Sequence, residues 1–130
     1  MKPWMILSAV LLFFAAACTG QLEEDSTEQR YQDPEALQEL ISSDQPYLLV
    51  DVRRDDEYQR GYIPTAVHIP VDQIEASPPE VPTDSLVILY CQSGVRSARA
   101  ERILQELGYS NLVDFGGIIR WPYELESPTP

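Results

Sequence analysis

Short apolar runs alternate with segments of helical spacing along most of the chain. Tyr47-Leu48-Leu49-Val50-Asp51-Val52 has the unbroken apolar character of a parallel strand covered on both faces. Leu86-Val87-Ile88-Leu89-Tyr90 predicts the strongest strand, and Ala66-Val67-His68-Ile69 and Leu112-Val113-Asp114-Phe115 predict two more. Between them lie helices. Asp33-Pro34-Glu35 supplies a capping carboxylate, a proline at the first helical position and a second acid, after which Leu37, Leu40 and Ile41 share a face. Asp55 or Asp56 caps a brief helix through Tyr58 and Arg60, ended by Gly61. From Ser97 to Leu107, the residues Ala100, Ile103, Leu104 and Leu107 recur at i, i+3, i+4, i+7. Residues 76–84 hold Pro78, Pro79 and Pro82 and predict a loop. Gly116-Gly117 predicts a turn into a short last helix that carries Trp121 and is limited by Pro122. The whole predicts an α/β domain with a mainly parallel sheet of about five short strands flanked by helices. Ligands of such sheets bind at the carboxyl ends of the strands. Asp51 and Cys91 fall at two such ends.

The amino-terminal residues follow another rule. Lys2 precedes an apolar run over residues 4–17 that ends in Ala15-Ala16-Ala17 before Cys18. That is the layout of a signal peptide over residues 1–17. It is shorter than the roughly 20 apolar residues of a spanning helix. The same run resembles a bacterial lipoprotein processing site, in which the cysteine is acylated; it also fits an ordinary Ala-x-Ala cleavage. The expectation is an exported protein, lipid-anchored through Cys18 to a bacterial membrane facing the periplasm or the exterior, or else soluble in the periplasm. Residues 18–32 are expected to be an acidic tether, residues 33–126 the domain and residues 127–130 a tail.

Charge narrows the partners. The chain has 21 acidic against 9 basic residues, a net charge of −12, and its only lysine, Lys2, leaves with the leader. Such a chain is not expected to bind nucleic acid.

Cys91 is the candidate for chemistry. In Cys91-Gln92-Ser93-Gly94-Val95-Arg96-Ser97 it lies between a buried strand and the start of a helix. The free N–H groups of a helix start and the helix dipole favour an anion. Gly94 permits a turn that a β-carbon would oppose, and Arg96 adds positive charge. All of these favour the thiolate, which is the nucleophile. If Cys18 is acylated, Cys91 is also a lone thiol in an oxidising compartment. His68 is the only histidine, so a Cys-His pair or a histidine metal site lacks support, and no metal ligand set is assigned.

Four pieces in order resemble the rhodanese family, specifically its single-domain sulfurtransferases, over residues 33–124. They are Asp51-Val52-Arg53 with Glu57-Tyr58 and Gly61-Tyr62-Ile63-Pro64-Thr65-Ala66; Ile69-Pro70; Tyr90-Cys91 through Ser97; and Leu107-Gly108-Tyr109 through Gly116-Gly117-Ile118 and Trp121. Tyr62 stands where the family usually has histidine and Thr65 where it has glycine. Related phosphatases and arsenate reductases of this fold use Cys-x5-Arg, one residue more than the Cys-x4-Arg here, so they are the less favoured enzymes.

The resemblance implies ping-pong sulfur transfer. Cys91 takes sulfane sulfur from thiosulfate or a similar anionic donor as a persulfide and yields it to a thiol or to cyanide, with no cofactor. The amides of Gln92, Ser93, Gly94, Val95 and Arg96 are implied to stabilise the sulfur, with Arg96 either binding the donor anion or tied to a carboxylate. Asp51, Arg53 and Ser97 are implied to support the loop. A persulfide carrier or a binding module of the same family is the alternative, and a protein partner is not identified.

Overall fold

The computed structural model describes residues 26–129. The expected leader and Cys18 lie outside the described residues. Along the chain come α1 (Thr27–Tyr31), α2 (Pro34–Ile41), β1 (Leu48–Asp51), α3 (Asp55–Gln59), β2 (Val67–His68), β3 (Val87–Cys91), α4 (Val95–Glu106) and β4 (Leu112–Gly117), followed by a 3-10 turn at Ile118–Arg120. The strands form one sheet in the order β2-β1-β3-β4, all parallel. The α/β expectation holds with four strands among the described residues in place of about five.

The central strand shows why its sequence is continuously apolar. All five residues of β3 are buried. Alternate side chains point to opposite faces. Ile88 and Tyr90 enter a core with Leu37 and Leu40 of α2, Phe115 of β4 and Trp121. Val87, Leu89 and Cys91 enter a second core with Ala100 and Leu104 of α4 and Tyr109. The catalytic candidate is thus anchored in the α4 layer by the same alternation that builds the sheet.

Local chemistry sets the boundaries. Asp33 caps α2 by accepting the Glu35 N–H at 3.1 Å, with Pro34 at the first turn. α4 starts at Val95, two residues before the expected Ser97, because Gly94 takes φ +99° and serves as its N-cap. Gly116 and Gly117 do not turn away from the sheet. They remain in β4, opposite Tyr90 and Cys91, past a register shift between Leu89 and Tyr90. Trp121 follows the 3-10 turn and lies outside any helix. β2 is only Val67–His68, with Val67 exposed at the sheet edge.

The tether expectation also changes. Ser26 caps α1 by accepting the Gln29 N–H, and Tyr31 is buried in the Phe115–Trp121 core. Gln32 Nε2 donates to the Asp114 carbonyl at 3.2 Å, and Arg120 donates to the Gln32 carbonyl at 2.8 Å. Residues 27–32 therefore belong to the folded domain. Their polar composition concealed this because one aromatic ring, the Gln32 side chain on the β4 backbone and Arg120 on the Gln32 carbonyl do the docking.

Candidate active site

The site lies at the carboxyl ends of β1 and β3. β3 delivers Cys91, fully buried, into the loop that precedes α4. The Gly94 N–H donates to Cys91 Sγ at 3.0 Å. Ser97 Oγ lies 3.6 Å from Sγ and donates to the Gly94 carbonyl at 3.0 Å, so it braces the loop from within the first turn of α4. Of the loop amides expected to stabilise the sulfur, that of Gly94 makes this hydrogen bond in the structure. Cys91 is the free cysteine of the described residues.

The loop rests on β4 through glycine. A β-carbon at Gly117 would stand 2.7 Å from the Gln92 carbonyl oxygen and 3.1 Å from Ser93 Cα. The sequence pattern predicts a turn at this glycine, whereas its task is close backbone approach to the Cys91 loop.

Asp51 ends β1 and is fully buried. It accepts the Arg53 backbone N–H at 2.9 Å, Arg53 Nε at 3.0 Å and Arg53 Nη2 at 2.6 Å. Tyr90 OH donates to Asp51 Oδ2 at 2.8 Å and accepts the Ile63 N–H at 3.0 Å. Burial opposes the Arg53 charge, but hydrogen bonding and attraction from Asp51 outweigh it and raise the guanidinium pKa. Burial, with the Asp51 charge, pushes the Tyr90 phenol far up. Arg53 Nη2 also donates to the Gly61 carbonyl at 2.7 Å, and Nη1 reaches Gln92 Oε1 of the Cys91 loop at 3.5 Å. Asp51 and Arg53 thereby connect β1 to the loop. His68 fixes the same corner: its Nε2 lies 2.8 Å from the Arg53 carbonyl, and its ring stacks on Tyr58 at 4.4 Å.

Arg96 is tied to a carboxylate, as one of the two expectations for it has it. It makes a two-point ion pair with Glu57 of α3, Nη1 to Oε2 at 2.6 Å and Nη2 to Oε1 at 2.9 Å. Glu57 also accepts the Arg54 N–H at 3.0 Å. Hydrogen bonds from Arg96 hold the Glu57 carboxyl at about 2, against its ordinary 4.5. Glu57 was visible in sequence only as part of a family-like motif; helix spacing does not reveal a partner 39 residues away. Among the described residues no cluster of His, Cys, Asp and Glu is placed to hold a metal. Gln92, Arg53, Arg54, Glu57 and Arg60 border a cavity of about 390 Å³ beside the loop.

A parallel α/β sheet that presents a cysteine loop at a helix start defines a class of proteins, and comparison places the chain within it. The sequence model for the rhodanese-like domain matches residues 33–121, and the chain belongs to that family. It is 38% identical over 90 residues to a sulfurtransferase of Allochromatium vinosum, covering 68% of this chain and 84% of the relative. The crystal structure of a rhodanese-like domain protein from Staphylococcus aureus is 33% identical with a TM-score of 0.67, covering 74% of this chain and 95% of that one. A human single-domain sulfurtransferase is 26% identical with a TM-score of 0.60, covering 67% and 89%.

Proposed function

We propose that the chain is an exported sulfurtransferase that moves sulfane sulfur from thiosulfate or a similar anion to a thiol through a persulfide on Cys91. Family membership and the sulfurtransferases among the relatives support sulfur transfer as the reaction class. The observation that carries the mechanism is the Gly94 N–H on Cys91 Sγ at 3.0 Å, at the start of α4. The helix dipole and this donor favour negative charge on sulfur. The Cys91 thiolate attacks the outer sulfur of thiosulfate, the S–S bond breaks and sulfite departs with the electron pair. The persulfide's terminal sulfur lies one bond further out, toward the mouth of the loop, where Gln92 and Ser93 are exposed. An acceptor thiolate then takes that sulfur and restores the Cys91 thiolate. The six-residue loop, seated against Gly117, suits this smaller group better than a tetrahedral phosphate.

The test is intact mass before and after thiosulfate, beside Cys91→Ser. Wild type should gain one sulfur atom that cyanide removes, and the variant should gain none. No gain from thiosulfate or from other sulfane donors would end the sulfur-transfer reading. Export and acylation at Cys18 are tested separately, by incorporation of labelled palmitate that Cys18→Ala abolishes.

A further inference from the structure

Transfer from a five-atom donor leaves the cavity beside the loop without a task. Its volume, about 390 Å³, lies in the range occupied by small organic ligands, roughly 300–1,000 Å³. Its lining is mostly polar, with Arg53, Arg54, Arg60, Glu57 and Gln92, and Ile118 and Leu125 add apolar surface. Three arginines with one glutamate in one lining is an unusual concentration in a chain of net charge −12.

The arginines differ in how far they are committed. Arg53 is 4% exposed, and its Nε and Nη2 are held by Asp51 and Gly61. Its Nη1 carries two N–H groups but has only the 3.5 Å contact with Gln92. A buried guanidinium with a spare donor at a cavity wall is suited to a carboxylate. Arg54 and Arg60 pair with Asp56, which does not line the cavity, and Arg54 Nε also lies 3.9 Å from Glu57 Oε2, which does. The Asp56 pairs are exposed on both sides, and a ligand displaces such contacts at small cost.

We propose that this cavity is the acceptor subsite and takes a small acidic thiol. The ligand's carboxylate lies against Arg53 Nη1 with Arg54 and Arg60 at the rim, and its aliphatic part lies on Ile118 and Leu125. The proposal rests on the sulfur-transfer reading above. In the step it serves, the acceptor thiolate attacks the terminal persulfide sulfur. A new S–S bond forms on the acceptor, the bond to Cys91 Sγ breaks, and its electron pair returns to Sγ. No oxidant or reductant is consumed. Gln92 belongs both to the cavity wall and to the loop, next to Cys91 in the chain, so a thiol held in the cavity lies against the loop that carries the reacting sulfur.

The experiment loads the full chain with thiosulfate, removes the donor and follows single-turnover transfer to cysteamine, 2-mercaptoethanol, 3-mercaptopropionate and mercaptosuccinate. Each rate is divided by that thiol's rate with a small disulfide in solution, which cancels intrinsic nucleophilicity. Mercaptosuccinate should exceed cysteamine by about tenfold or more at low salt, although the net charge of the chain opposes it. In the double variant Arg54→Gln/Arg60→Gln this ratio should fall to about threefold or less. Taking the ratio within each protein cancels any loss of folded fraction. A wild-type ratio near one, or a ratio the double variant leaves unchanged, would overturn the acceptor subsite alone. Failure of wild type to load sulfur at all would overturn the transfer reading and the acceptor role together.

Discussion

Arg96 is not a free cation waiting for an anion, because Glu57 already holds it at two points. This pairing has a pH signature. The folded-state pKa of Glu57 lies at about 2, below its ordinary 4.5. A depressed carboxylate pKa adds stability that is present above the unfolded value and is lost as pH falls. The window here runs from about 4.5 down to about 2. Glu57→Gln should therefore be less stable than wild type at pH 7, with the gap closing through that window. Melting temperatures of both proteins against pH check this, and a gap that persists at the acid end would contradict it. The same variant frees the Arg96 charge, so its KM for thiosulfate should fall. At this scale the sequence was informative about residue types and silent about partners. Cys91, Gly94 and Arg96 stand out as a motif, but the carboxylate that holds Arg96 comes from α3, 39 residues away. Thr65, noted as standing in a glycine position, does adopt φ +73°, with its hydroxyl 2.7 Å from Tyr47 OH.

Elements built from continuous or alternating apolar residues were readable, and elements held by a few backbone contacts were not. β1, β3, α2 and most of α4 follow from their patterns. α1 has no apolar stripe: it stays on the sheet through Tyr31 and through hydrogen bonds linking Gln32, Asp114 and Arg120. Tyr31→Ala should then cost about 2–4 kcal/mol, as for other buried aromatic truncations. A change within about 0.5 kcal/mol, typical of a solvated surface position, would restore the tether reading. The measurement is the shift in denaturant midpoint. β4 tells a related story. Its two glycines read as a turn because nothing local marks the approach of another backbone. Gly117→Ala would push a methyl group against the Gln92 carbonyl, which is backbone and must move with the whole loop. Stability should fall by about 1–3 kcal/mol. Displacing the nucleophile by even a fraction of an ångström should slow persulfide loading by about tenfold or more. Single-turnover loading that stays at the wild-type rate would show that the loop does not depend on β4.

For the molecule as a whole, charge and chemistry pull in opposite directions. A chain of net charge −12 repels an anionic donor, while Gly94, the α4 dipole and the arginines near the loop attract one. The two fields differ in reach. At about 0.01 M salt the Debye length is roughly 30 Å, so distant acids act on the approaching donor; at about 0.1 M it is roughly 10 Å, and mainly the site remains in view. The thiosulfate KM should consequently fall as ionic strength rises through that interval. At higher salt it should turn upward, once ions also screen the arginines themselves. Steady-state kinetics in an inert salt across this range would show the minimum. A KM that climbs steadily from the lowest ionic strength would mean that the local cationic field dominates at every distance. The acidic surface would then have no part in how the donor arrives.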